Sequence, residues 1–296
     1  IPGPDDVGTT APAEATKVVR VQSTDWRAYR DRVAAAAPAA EGTGGRAAAG
    51  KIGAAVEEKT PAAPAGRDQL RVSREAGKGE PWSTNFDVFV TPADGSAAPR
   101  NLTAANKAWD AAPVYSHDGR TIYYRAMKRP AFEADRFGLM ALDLATGKTR
   151  EIDPNWDRSA DNIRLSADGK RIYSTAPDMG EHPLWSIDIA SGKATKVAGD
   201  GTISGFELEG DTLVFTRNSM RSPDVLFAAR ADGSAVRKVS VNNDEKLSKI
   251  AFGDFEQFSF AGWNGETVHG YVVKPANYVK GRKYPVAFLI HGGPQG

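Results

Sequence analysis

At 296 residues, with 41% hydrophobic and 25% charged side chains, the chain has a globular composition and enough length for more than one core. A formal net charge of +1 argues against nucleic acid or an acidic membrane surface as a partner. The absence of cysteine excludes disulfides and thiolate metal sites, and no apolar run of about 18 residues is present to cross a membrane as a helix.

The first residue is Ile1, and no charged-then-apolar leader follows it. The expectation is a removed leader or a piece of a longer protein. Residues 1–66 are dominated by Ala, Gly and Pro, and only the run DWRAYRDRVAAAA has a helical texture. Too few large apolar side chains occur there to offset the entropy of ordering, so an irregular, low-complexity segment is expected.

From residue 67 to 250 the texture changes to short runs of Val, Ile, Tyr and Phe cut by Asp-Gly and Thr-Gly pairs. That is the pattern of antiparallel hairpins, because these pairs accept the positive φ of tight turns. The runs repeat. PVYSHDGRTIYY (113–124) matches IRLSADGKRIYS (163–174), and Asp118 and Asp168 lie 50 positions apart. LMALDLATGKTREI (139–152) matches LWSIDIASGKATKV (184–197), with Asp143 and Asp188 separated by 45. DVFVTPADGSAAPRNLT (87–103) and DVLFAARADGSAVRKVS (224–240) share one strand–turn–strand frame, and LEGDTLVFT (208–216) is a degenerate copy of the first. Two hairpins per period of about 40–50 residues is the size of a propeller blade. The expected fold is mainly β: a partial β-propeller of about three to four blades, with an open β-sandwich as the alternative.

Residues 251–296 break the repeat. FSFAGWNGETVHGYVV forms a stronger hairpin pattern, with Phe258 and Phe260 on one arm, Val268 and Val272 on the other, and Asn264-Gly265 at the turn. PVAFLI (285–290) is a near-continuous apolar run, as expected of a strand buried on both faces of an α/β sheet. His291-Gly292-Gly293-Pro294 follows. In acyl transfer, negative charge develops on the carbonyl oxygen, and preorganised backbone N–H groups stabilise it. Glycine lets the main chain approach without a Cβ in the way. Gly292 and Gly293 are therefore the candidate oxyanion donors, with His291 bracing the turn.

The order of these parts resembles the prolyl oligopeptidase family of serine peptidases, within it the dipeptidyl aminopeptidase and acylaminoacyl peptidase group. The resemblance covers residues 67–296 and includes EPWSTNFDVF (80–89), NWDRSADNIRLSADGK (155–170) and HGGPQG (291–296). It implies blades followed by the opening strands of an α/β-hydrolase domain, and a serine exopeptidase that removes dipeptides from peptide N-termini. It further implies no cofactor, a peptide substrate with a free N-terminus, no nucleic-acid or membrane partner, a periplasmic or secreted location, and a homodimer of the full-length protein. Family members carry Trp-Asp-Gly where this chain has Trp263-Asn264-Gly265, a change the turn accepts. The family's nucleophile sits in a Gly-x-Ser-x-Gly elbow after HGGP. No serine of this sequence has that frame, so the chain alone is expected to be inactive.

Two other functions stay open on the sequence: a β-propeller binding or scaffold module, and an acylaminoacyl peptidase or esterase on the same architecture. His117, His182 and His269 have no metal-ligand spacing. Trp82, Trp109, Trp156 and Trp185 are expected to pack blades. Glu80 is a weak candidate for holding a substrate amine, and Asn101-Leu-Thr103 is a chance match to a glycosylation sequon.

Overall fold

The computed structural model describes residues 69–75 and 83–289. The 1–66 segment, Glu80, Trp82 and the residues from 290 onward lie outside them. The chain divides into two compact units, Ile1–Ile152 and Asp153–Gly296.

The first unit holds two antiparallel sheets. One comprises β1 (Gln69–Glu75), β2 (Phe86–Pro92) and β3 (Arg100–Asn101). The other is a four-stranded meander of β4 (Asp110–Tyr115), β5 (Thr121–Ala126), β6 (Gly138–Asp143) and β7 (Thr149–Glu151). Val88 of the first sheet packs with Ile122, Tyr124, Ala126 and Leu142 of the second. Trp109 stacks on Phe86 at 4.8 Å and meets Phe137 edge-on at 5.8 Å, beside buried Met127. Each fully buried aliphatic or aromatic side chain of this kind contributes about 1.5–3 kcal/mol from apolar burial.

The second unit repeats the plan. β8 (Arg164–Leu165), β9 (Arg171–Thr175), β10 (Leu184–Asp188) and β11 (Ala194–Ala198) form one meander. β12 (Thr202–Glu209), β13 (Thr212–Ser219), β14 (Ser222–Arg230) and β15 (Arg237–Lys238) form the next. Tyr173 and Leu184 of the first meander bury against Ile203, Phe206, Leu213 and Phe215 of the second. The Tyr173 hydroxyl donates to the Ala231 carbonyl at 2.9 Å, and Arg164 grips the Glu207 carboxylate with two nitrogens at 3.1 and 3.0 Å.

The sequence repeats return as matching bonds. In the first frame Ser116 Oγ and Ser166 Oγ each donate to the Asp two residues on at 2.6 Å. The same oxygens accept from the backbone of Thr121 and Arg171 at 3.0 Å. Gly119 and Gly169 then sit at φ 69° and 68°, conformations that a Cβ disfavours. In the second frame Asp143 caps Thr146 N at 2.7 Å and Asp188 caps Ser191 N at 2.8 Å. In the third frame a hydroxyl after the short last strand accepts an inner-strand amide: Val88 N on Thr103 Oγ1 at 2.9 Å, Leu226 N on Ser240 Oγ at 3.0 Å. In the first two frames residues 50 and 45 apart in sequence thus use the same side chain type for the same backbone group.

After a helical turn at Asp244–Leu247 come β16 (Phe255–Ala261) and β17 (Thr267–Val273), a two-stranded hairpin in the register Ala261↔Thr267 to Phe255↔Val273. The Asn264-Gly265 turn is present, with φ of 59° and 78°. The expected buried strand is not. Residues 282–289 carry no strand, and Val286, Phe288 and Leu289 are 86%, 80% and 90% exposed. A strand of that apolarity needs hydrogen-bonded neighbours and a layer on each face. No described strand pairs with it, so its apolar pattern has nothing to act on.

Candidate functional site

The β16–β17 hairpin precedes the His291-Gly292-Gly293 segment in the sequence. One face of the hairpin is anchored within the second unit. Gln257 Nε2 donates to the Met179 carbonyl at 2.7 Å, and the Tyr271 hydroxyl donates to the same oxygen at 3.2 Å. Gly180 lies under the Tyr271 ring, where a Cβ would come within 2.6 Å of Cε2. Arg221 binds Asp254 at 2.9 Å and lies over the Phe255 ring. The opposite face carries Phe258, Phe260, Val268 and Val272, all exposed, with the two Phe rings stacked 6.2 Å apart. Gly270 is required opposite Phe258, because a Cβ there would meet the ring at 2.7 Å.

Beyond β17 the Tyr284 hydroxyl accepts from Val279 N at 2.9 Å and its ring packs against Tyr278. The chain then runs out as the exposed 285–289 stretch. The oxyanion donors expected at Gly292 and Gly293, with His291, lie outside the described residues.

Among the described residues the histidines fall apart from one another. His117 sits in the Asp118-Gly119 turn. His182 Nε2 lies 2.7 Å from Asp161 Oδ2, a partner the sequence spacing did not show. His269 is the register partner of Ser259, and no hydrogen bond joins them. No group of three His, Asp or Glu side chains among the described residues is arranged to hold a metal.

Two polar clusters were missed from sequence. In the second unit Asp178 is buried and receives Arg158 at 2.8 Å and Lys196 at 2.8 Å. The hydrogen bond from Lys196, with that from Arg158, holds its carboxyl below the usual range. Lys196 also lies over Trp185, which meets Trp156 edge-on at 5.5 Å. These tryptophans pack and brace an ion cluster. In the first unit Asp87 and Asp110 are both buried, each beside an asparagine amide: Asn101 Nδ2 to Asp87 Oδ2 at 2.5 Å, Asn106 Nδ2 to Asp110 Oδ1 at 2.8 Å. Asn101 and Thr103, the sequon residues, are structural parts of this cluster. The only sequence signal was the recurrence of Asp near strand starts.

No protein-family model matches the chain. It is 29% identical over 234 residues to a dipeptidyl-peptidase 5 of Porphyromonas gingivalis, covering 78% of this chain and 34% of that protein. It is 32% identical over 229 residues to a dipeptidyl-peptidase 5 of Trichophyton equinum, covering 72% and 31%. Among solved structures, the acylaminoacyl peptidase of Pyrococcus horikoshii matches with a TM-score of 0.56 at 19% identity, over 72% of this chain and 32% of that one. The chain spans about a third of the length of the curated relatives it matches. These similarities link it to the prolyl oligopeptidase superfamily of serine peptidases, which takes in dipeptidyl-peptidase 5 and acylaminoacyl peptidase.

Proposed function

We infer that this chain supplies propeller blades and the entry to the α/β-hydrolase domain of a serine exopeptidase of the dipeptidyl-peptidase 5 kind. The observation that carries this is the similarity to curated dipeptidyl-peptidase 5 sequences over more than 70% of the chain. The meanders are what blades require: three four-stranded antiparallel sheets in sequential order, joined by turns of one chemistry.

In the proposed enzyme, a peptide with a free N-terminus reaches a site under the blades. Gly292 and Gly293 present backbone N–H groups to the oxyanion of the tetrahedral intermediate, where one such donor is worth about 10²–10³ in rate. The serine nucleophile, its histidine base and the orienting aspartate belong to sequence beyond Gly296. The 296 residues alone therefore bind and shape without cleaving, since attack needs nucleophile and base within hydrogen-bond reach. Reading the gene downstream of Gly296 tests this. The account expects Gly-x-Ser-x-Gly within α/β-patterned sequence, followed by Asp and then His; a stop or a further blade repeat would overturn it.

A further inference from the structure

We propose that the Asp178–Glu181 turn is a latch: the Arg158–Asp178–Lys196 cluster holds Met179 in a left-handed conformation, and the Met179 carbonyl held there docks the β16–β17 hairpin, so that loss of the cluster releases the hairpin while the meanders stay folded.

The turn lies between β9 and β10 and is closed by two backbone bonds. Asp178 N donates to the Glu181 carbonyl at 2.9 Å, and Glu181 N donates to the Asp178 carbonyl at 3.0 Å. Its central residues, Met179 and Gly180, both have positive φ, 51° and 86°. Tight turns of this kind favour Asn-Gly, because most side chains disfavour the left-handed conformation at the first central position. Gly180 meets that demand and Met179 does not. Such strain persists only where the surroundings over-determine it. Here the chain is fixed on both sides of the turn. The buried Asp178 carboxylate takes Arg158 Nε at 3.1 Å, Arg158 Nη2 at 2.8 Å and Lys196 Nζ at 2.8 Å, and rotating Asp178 would break all three bonds. On the other side, His182 N donates to the Gly201 carbonyl at 3.2 Å and Ile203 N donates to the His182 carbonyl at 2.9 Å, which ties the end of the turn to β12.

The strained residue carries the acceptor that the hairpin uses. Gln257 from β16 and Tyr271 from β17 both donate to the Met179 carbonyl, at 2.7 and 3.2 Å, and the Tyr271 ring covers Gly180. Were Met179 to return to negative φ, its carbonyl would swing away from the two donors and both bonds would be lost. The hairpin has no core of its own to fall back on. Among the described residues, no side chain of β16 or β17 is buried. The Arg221–Asp254 pair that ties the start of β16 is 50% and 85% exposed, a setting in which an ion pair contributes little. A two-stranded hairpin with no covered face is marginal in water. Its docking therefore depends on the conformation of Met179, and that conformation depends on the ion cluster.

The test is amide hydrogen exchange of the 296-residue chain at neutral pH, followed on the hairpin, on the turn and on β13. Asp178→Asn weakens the charge-assisted bonds of the cluster and is expected to speed exchange of the hairpin amides by about tenfold. Phe215→Leu weakens the core of the same unit without touching the turn. It is expected to speed exchange in β13 and leave the hairpin rate in place, because the hairpin opens locally. Adding Met179→Asn to Asp178→Asn is expected to recover most of the hairpin's protection, since asparagine accepts positive φ without help from the cluster. If Asp178→Asn fails to fold, the double variant Gln257→Leu, Tyr271→Phe serves. Coupling is reciprocal, so freeing the hairpin should speed exchange of the Glu181 amide in the turn by a similar factor. The proposal is overturned if Asp178→Asn leaves the hairpin at the wild-type rate, or if Phe215→Leu speeds it equally. It is equally overturned if Met179→Asn recovers nothing, or if the double variant leaves the Glu181 rate unchanged.

Discussion

Gly210 and Gly233 close two turns of one sheet, β12–β13 and β14–β15, and separate two costs that are usually confounded. Both have positive φ, 58° and 84°. A Cβ at Gly210 would meet nothing within 4 Å, whereas at Gly233 it would lie 2.2 Å from the Val197 carbonyl oxygen and 3.2 Å from Val197 Cγ1. Gly210→Ala therefore carries only the left-handed backbone cost of about 1–2 kcal/mol. Gly233→Ala carries that plus an overpacking cost of about 1–3 kcal/mol, because β11 and the β14–β15 turn must separate. Urea unfolding of both variants, followed by circular dichroism, should place Gly233→Ala well below Gly210→Ala at unchanged slope. Asparagine, which tolerates positive φ, should recover most of the loss at 210 and little at 233. Equal losses at the two positions would refute the packing of this turn against β11.

Further outcomes follow from the same contacts. Phe215→Ala, at the centre of the second unit's core, should cost about 3–5 kcal/mol in urea unfolding. Thr103→Val removes the acceptor of buried Val88 N and should cost about 1–3 kcal/mol, and Ser240→Ala at the equivalent place should follow it in direction. Asp178 has a folded pKa below its unfolded value of 3.8, so its stabilisation is present above that value and lost as pH falls through the folded one. Asp178→Asn should therefore be less stable than wild type at neutral pH, with the gap closing on acidification in a pH-stepped thermal melt.

The blade-like sheets were legible because their turns are written in local chemistry. Ser-x-Asp-Gly and Asp-x-x-Thr/Ser-Gly build their own hydrogen bonds within five residues, so residue spacing is enough to place them. The 285–289 stretch carries no strand for the opposite reason. Apolarity marks a strand only where partners exist, and here Phe288 and Leu289 face solvent. The Asp87–Asp110 and Arg158–Asp178–Lys196 clusters were hidden because each joins residues 14 or more positions apart, across turns whose register only the fold sets. His182 and Asp161 escaped notice for the same reason.

The central claim is that these residues carry the oxyanion turn of an exopeptidase whose nucleophile lies further along. Release of 4-nitroaniline from Xaa-Ala and Xaa-Pro dipeptidyl substrates tests it most directly. The 296-residue chain should release none, and the chain continued through its downstream α/β sequence should release it. In that longer protein Gly292→Pro or Gly293→Pro, which removes one backbone donor, should lower kcat by about 10²–10³. Turnover by the 296 residues alone, or full activity with both donors replaced, would contradict the account.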